Sequence, residues 1–497
     1  MIQDSVREPG SYSTIKSSGA NNTLPSTRQE MLIIAQRLTA GTIAKNIPTR
    51  IYSPTEAATY SGAGSIFHRM AIAAFKANPY LILTGCFLDD ASTGVASTST
   101  HTFTGTATAT GSLGIKVGVD RINLAIDKAK TGANVATMVA AEINKYPSLP
   151  ITAAAVDTVV TYTAKNKGTC GNLLGKYNPS TSEHELLVVN DAPGISVAVT
   201  GFTGGANDPT SEVSGTGTSL TDAFTAVASH RYHNIVIPFI DATAVGVLAD
   251  HVDLVSDDNH QLGTRGFVFI SQTLASATTL AAENAKRLVF GFIRRVCRPS
   301  YENAASLAAS ESGKAKPWLA SNNDELVGCD TPDVQDRLTQ GVGGEIDSCL
   351  WSGVTPFKVG AGDKVRCVRL ISTYTKNDAN TPDPTFLDSF KIATADYVRE
   401  AIKTSQETNY PNAILKDKHV DGEPDNIVTP EDIRSNNIAV CKRIEKEGGL
   451  NDVDFYKDRF TSVKDPNVAG RVNSKIPIDI VDAAHILAND IVLTSKF

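Results

Sequence analysis

No run in this 497-residue chain approaches the roughly 18 consecutive apolar residues needed to span a bilayer, and the opening MIQDSVREPG lacks the apolar stretch of a secretory leader. Cysteine is sparse and unpatterned. Cys86, Cys170, Cys297, Cys329, Cys349, Cys367 and Cys441 are odd in number and form no CxxC pair, so neither a zinc knuckle nor a redox dithiol is signalled, and free thiols in a reducing compartment are the simplest account. Charge of one sign is also lacking. The 46 Lys and Arg against 53 Asp and Glu leave a formal net charge of −7, too even for coating nucleic acid or an anionic membrane. These absences point to a chain made in a cytoplasm whose partners are proteins.

Enzyme signatures are missing as well. There is no GxSxG elbow, and the nearest approach to a phosphate loop, Gly171-Asn172-Leu173-Leu174-Gly175-Lys176-Tyr177, has the wrong spacing and no hydroxyl of the Ser or Thr type after the lysine. Gly62-Ala63-Gly64-Ser65 fails as a GxGxxG motif because position 67 is Phe, and reads instead as a tight turn before an N-capped helix. His230 and His233 have HxxH spacing, with His251, Asp253 and His260 downstream. The pair flanks Tyr232 at a strand entrance, where alternation sends side chains to opposite faces, so no metal is expected. A Ser/His/Asp triad assembles from distant positions, which leaves an α/β hydrolase as the alternative reading, although nothing marks a nucleophile. No catalytic residue and no cofactor are assigned.

What is present is a globular composition, 41% hydrophobic and 20% charged, over a length that implies about two to four domains. Residues 1–25 are rich in Ser, Thr and Asn and read as an extended arm. A strand–helix–strand unit follows: Met31–Ala35, a helix from Ser65 to near Pro79, and Tyr80–Phe87. Residues 91–210 hold only 16 charged residues in 120 and many short alternating runs around one helix near Asn134–Lys145, the pattern of an inserted β-rich domain. Helix–strand alternation resumes from Ser219 to Phe292, giving an α/β core over 26–90 and 211–382 with a largely parallel sheet. Ser300–Gln335 reads as loop, and Val365–Ile371 as a strand.

The last 115 residues carry 20 Asp and Glu and 15 Lys and Arg, so residues 383–475 read as a separate α+β domain with extensive polar contacts. Its second helix, Pro430–Glu447, is framed by Thr429 as N-cap, Pro430 in first position and Gly448-Gly449 as stop. Lys442, Arg443 and Lys446 share one side of it, with Arg434 further round. This is either a solvated face or a docking face for an acidic protein surface. Beyond it, residues 476–497 form an apolar arm: Ile476, Ile478 and Ile480 alternate with Pro477 and Asp479, and Ile491-Val492-Leu493 adds a second run. Such a strand must find a sheet edge, in its own domain or in another subunit.

Several runs resemble a known family. Arg7-Glu8-Pro9-Gly10-Ser11-Tyr12, Leu32-Ile33-Ile34-Ala35-Gln36, Leu149-Pro150-Ile151-Thr152-Ala153-Ala154, Tyr232-His233-Asn234-Ile235-Val236-Ile237-Pro238, Arg369-Leu370-Ile371-Ser372-Thr373-Tyr374 and Asp383-Pro384-Thr385-Phe386-Leu387-Asp388 are similar to tail sheath proteins of Mu-like contractile-tailed bacteriophages, in the family's order and nearly end to end. The resemblance implies a subtilisin-like α/β core without protease activity and an outward-facing insert. It also implies two arms that add strands to neighbouring subunits: Val6, Tyr12 and Ile15 in one, and Ile476, Ile478, Ile480, Ile491, Val492 and Leu493 in the other. Arg434, Lys442, Arg443 and Lys446 would then dock on a tail tube. The implied partners are further copies in hexameric rings and a helical stack, the tube protein, and baseplate and terminator proteins at the ends, with no nucleic acid and no membrane. The implied location is the virion tail, assembled in the host bacterial cytoplasm.

Overall fold

The computed structural model describes residues 24–491 apart from 212–218, 284–285, 378, 423 and 425. The expected arm residues Val6, Tyr12, Ile15, Val492 and Leu493 therefore lie outside the described residues. The fold is mixed α/β, with eleven α-helices among the described residues. It divides into two compact units, one of residues 28–393 with 484–497 and one of residues 1–27 with 394–483. These divisions fall at Thr394 and Ala484, and Asp388 bridges to Ile371 within the larger unit.

The larger unit is built on an eight-stranded sheet. Its order is Val365–Cys367, Val354–Val359, Leu288–Phe292, Arg265–Ile270, Asn234–Val236, Glu30–Gln36, Ile82–Leu88 and Thr49–Ile51. The middle six run parallel, and the short outer strand at each end runs antiparallel to its neighbour. Met31, Leu32, Ile33, Ile34 and Ala35 are all fully buried, as expected of a parallel strand covered on both faces. Gly85 lets the covering helix come close: a Cβ there would sit 2.5 Å from the ring of Phe67, which packs edge-on against Phe87. That helix, Ile66–Ala77, starts where the Ser65 hydroxyl accepts the His68 N–H.

Two sequence expectations are corrected, and one strand appears that none of them covered. Ser300–Ser312 is a helix, not loop, and all of it but Ser310 is buried, so its Ala and Ser positions show no polar face and hence no period. Val354–Val359 is a strand despite Pro356, which sits where the parallel partner ends. The reading of Val365–Ile371 shortens to Val365–Cys367, and the strand Asn234–Val236 ends just before Pro238.

Among the described residues, the strands between Ala96 and Val199 form sheets only with one another. Ala96–Gly105, Ile151–Val156, Val159–Lys167 and Ile195–Val199 make a four-stranded sheet, and Gly111–Val117, Asp120–Ile126 and Leu187–Asn190 a three-stranded one. Charged and polar groups join this part to the sheet core. Asp90 accepts from Gln36, Asn166 and the Lys167 N–H. Arg69 donates to Glu302 at 2.8 Å and pairs with Asp120 at 2.7 Å, although Arg69 and Glu302 are almost wholly buried. The stretch that reads as loop beyond Ser312 supplies carboxylates here. Asp330 pairs with Lys116 at 3.4 Å and accepts the Cys297 and Arg298 N–H groups, while Asp333 and Asp336 hold Lys176.

Candidate docking face and C-terminal strand

Helix Pro430–Lys446 begins in a capping box: the Thr429 hydroxyl accepts the Asp432 N–H, and Asp432 accepts the Thr429 N–H at 2.7 Å. Burial works to raise the Asp432 carboxyl, but the Thr429 bonds and His419 outweigh it and hold the group below its ordinary value. The helix ends as Gly448 turns into the left-handed region at φ +86° and Gly449 donates to the Ile444 carbonyl. Asn437, Val440, Cys441 and Ile444 form its buried stripe. Ser405, Gln406 and Asn409, on the far half of helix Ser389–Asn409, reach Asn436 and Asn437 across it.

The four expected docking cations separate into two kinds. Arg434 turns inward: it donates to the Phe460 carbonyl at 2.7 Å, to the Lys457 carbonyl at 3.0 Å and to Glu431 at 2.7 Å. Its guanidinium ties the helix to the following turn. Lys442 pairs with Asp454 at 2.6 Å, and this lysine holds the exposed Asp454 carboxyl below its usual range. Arg443 and Lys446 have no ion-pair partner among the described residues, and Lys446 is exposed. The carbonyls that Arg434 meets lie 23 and 26 residues downstream and the partner of Lys442 lies 12 downstream, and helical period carries no sign of them.

The C-terminal stretch also divides. Asp479–Ile480 pairs antiparallel with Leu450–Asn451 of the same chain, which places Ile480 opposite Leu450. The arm is thus not without a partner strand, and the receiving strand is the one that starts directly after Gly448-Gly449. Ile476 lines a cavity of about 710 Å³ with Ile402, Tyr410, Leu415, Val428 and Ile433. Ile478 is half-buried. Further on, His485 accepts from Asn322 at 3.1 Å and lies 3.4 Å from Asp388. Past that point, Ile486, Leu487 and Ile491 are exposed by 88%, 78% and 81%.

The HxxH histidines do not converge. His230 pairs with the Glu30 carboxylate, while the His233 ring accepts the Glu30 N–H, and burial pushes His233 down to about 3. Among the described residues no group of three or more His, Cys, Asp or Glu is placed to hold a metal ion.

Residues 381–494 match the family model of the phage tail sheath C-terminal domain. The whole chain is similar to the Mu-like prophage FluMu tail sheath protein of Haemophilus influenzae, 26% identical over 504 residues that take in 99% of this chain and 98% of the relative. Over its full length the chain is similar to a phage tail sheath protein. The resemblance carried by the sequence runs thus agrees with a similarity that spans 99% of the chain. Two solved structures are also similar. The sheath tail protein of Listeria innocua has a TM-score of 0.49 and 13% identity, with 94% of each chain covered. The sheath complex of an extracellular contractile injection system in its contracted state has a TM-score of 0.45 and 9% identity, with 98% of each chain covered.

Proposed function

We propose that this chain is the structural, non-enzymatic subunit of a contractile phage tail sheath. It polymerises as stacked hexameric rings around a tail tube in the virion, and contracts to drive the tube through the bacterial envelope for genome ejection. The single observation that carries this reading is the end-to-end similarity to a tail sheath protein, 99% of this chain against 98% of the relative. The core takes the subtilisin-like fold that the resemblance implies, without its protease activity, and the part between 91 and 210 faces outward.

Two local features support the detail. Arg443 and Lys446 are available for an acidic tube surface, with Lys442 held beside them by Asp454. The terminal strand is attached by a ladder of only two residue pairs, after which apolar residues stand in water, as suits a segment that leaves its own chain for a neighbour's sheet edge. The tube, baseplate and terminator proteins complete the partner set, and the host cytoplasm is where assembly takes place.

Negative-stain microscopy of the purified chain tests the reading. Hollow ribbed tubes are expected from the full chain and dispersed subunits from a chain lacking 476–497. Compact particles from the full chain would sink the sheath reading, and normal tubes from the truncated chain would sink the donated strand.

A further inference from the structure

A socket for the C-terminal segment is built into the chain's own larger unit. Its walls are fixed by long-range bonds. Asp388 is buried, held by Arg369 through two parallel bonds of 2.8 and 2.9 Å, and bridged by its backbone to Ile371. Asn322 precedes a segment that clamps the outer strand Val365–Cys367, with Asn323 donating to the Cys367 carbonyl and Leu326 to that of Val365. Into this socket comes His485, its Nδ1 accepting from the Asn322 amide at 3.1 Å and its Nε2 facing Asp388 at 3.4 Å.

The imidazole suits the socket in its neutral form. A ring that accepts through Nδ1 carries its proton on Nε2, which lies 3.4 Å from the Asp388 carboxylate without a hydrogen bond to it, and burial and Arg369 both favour the uncharged ring over the pull of Asp388. The neighbours of His485 contribute little to the attachment. Ile486, Leu487 and Ile491 stand exposed, so the segment is anchored at one side chain while its apolar residues remain available to another surface.

We propose that the His485 socket is an autoinhibitory clasp: it parks 484–491 on the subunit's own core and competes with donation of the same segment to a neighbour, holding free subunits back from polymerising without a template. The clasp rests on the donated-strand reading above. Opening it exchanges one hydrogen-bonded imidazole for contacts along a whole strand, so a free subunit is held back while a receiving edge, once presented, wins.

The test uses the full chain with Asn322→Ala, which alters the socket, and His485→Ala, which alters the segment. In unpolymerised protein, carbethoxylation of His485 by diethylpyrocarbonate, followed by mass spectrometry, is expected to run about fivefold to tenfold faster in Asn322→Ala than in the wild type, the factor one net hydrogen bond confers. Spontaneous polymerisation, followed by light scattering, is expected to accelerate by a similar factor in both variants. An unchanged modification rate in Asn322→Ala overturns the clasp itself. Faster modification with unchanged or slower polymerisation overturns its inhibitory role. Neither result touches the donated-strand reading, which fails only if the chain without 476–497 still forms tubes.

Discussion

Two strands of this chain show opposite ways of belonging to a sheet. Glu30–Gln36 pairs with Ile82–Leu88 through seven residues and with Asn234–Val236 through three, and its apolar side chains are wholly buried. Asp479–Ile480 pairs with one neighbour through two residues, and within eleven positions the chain carries Ile486, Leu487 and Ile491 into water. The first strand cannot leave without dissolving the core. The second gives up little by leaving, which is the asymmetry that the proposed donation to a neighbour requires.

The comparison is broken most directly where the rigid block depends on charge. Arg69→Ala leaves buried Glu302 with only its longer 3.5 Å pair to Arg298, and is expected to destabilise the larger unit by about 3–5 kcal/mol, read as a fall in its thermal unfolding midpoint. A change of less than about 1 kcal/mol would mean that water or Arg298 replaces the lost partner.

Acid sharpens the contrast. Burial pushes His68, His101, His184 and His251 down to about 4 and His233 to about 3, all in the larger unit, whereas His419 of the other unit is exposed beside Asp432. These folded values lie below the ordinary imidazole value of 6.5, so the unfolded chain binds more protons below pH 6.5. Stability from these rings is therefore fully present above pH 6.5 and is lost as pH falls towards 4, by up to about 2 kcal/mol per ring between pH 6.5 and 5. Asp90 and Asp208, raised by burial, offset part of this. Hydrogen exchange at pH 7 and pH 5 should show the larger unit loosening first, and equal loosening of both units would remove the contrast.

Smaller effects probe the second unit. Thr429→Ala deletes the capping hydroxyl of helix Pro430–Lys446 and is expected to cost about 1 kcal/mol, measured by urea unfolding of the unit that carries it. Smallest in stability is Arg443→Glu with Lys446→Glu, within about 0.5 kcal/mol because neither residue has an ion-pair partner among the described residues. Its effect is expected in sheath assembly on tubes. Normal extended sheaths from this variant would remove the docking role.

Much of the chain was legible before folding. Helix Pro430–Lys446 announced itself through Thr429, Pro430, an apolar stripe and Gly448-Gly449, all local signals that act within a turn or two. The fully apolar run Met31–Ala35 likewise marked a strand buried on both faces. Helix Ser300–Ser312 stayed hidden because burial on every side erases the polar face that makes a helix visible. Of the docking cations, the shared side of Lys442, Arg443 and Lys446 followed from helical period. The inward turn of Arg434 did not, since its acceptors are backbone carbonyls at Lys457 and Phe460.

The amino-acid order by itself determined where helices start and stop, which strands are buried and which family the chain resembles, because caps, turns and hydrophobic period act over a few residues. Only the tertiary structure decided that Asp479–Ile480 meets Leu450–Asn451, that Arg69 finds Glu302, and that His485 finds Asn322 and Asp388. Those pairings join residues from about 30 to more than 230 positions apart, and a pairing of that kind leaves no trace in local pattern, since it exists only once the intervening chain has closed its loop.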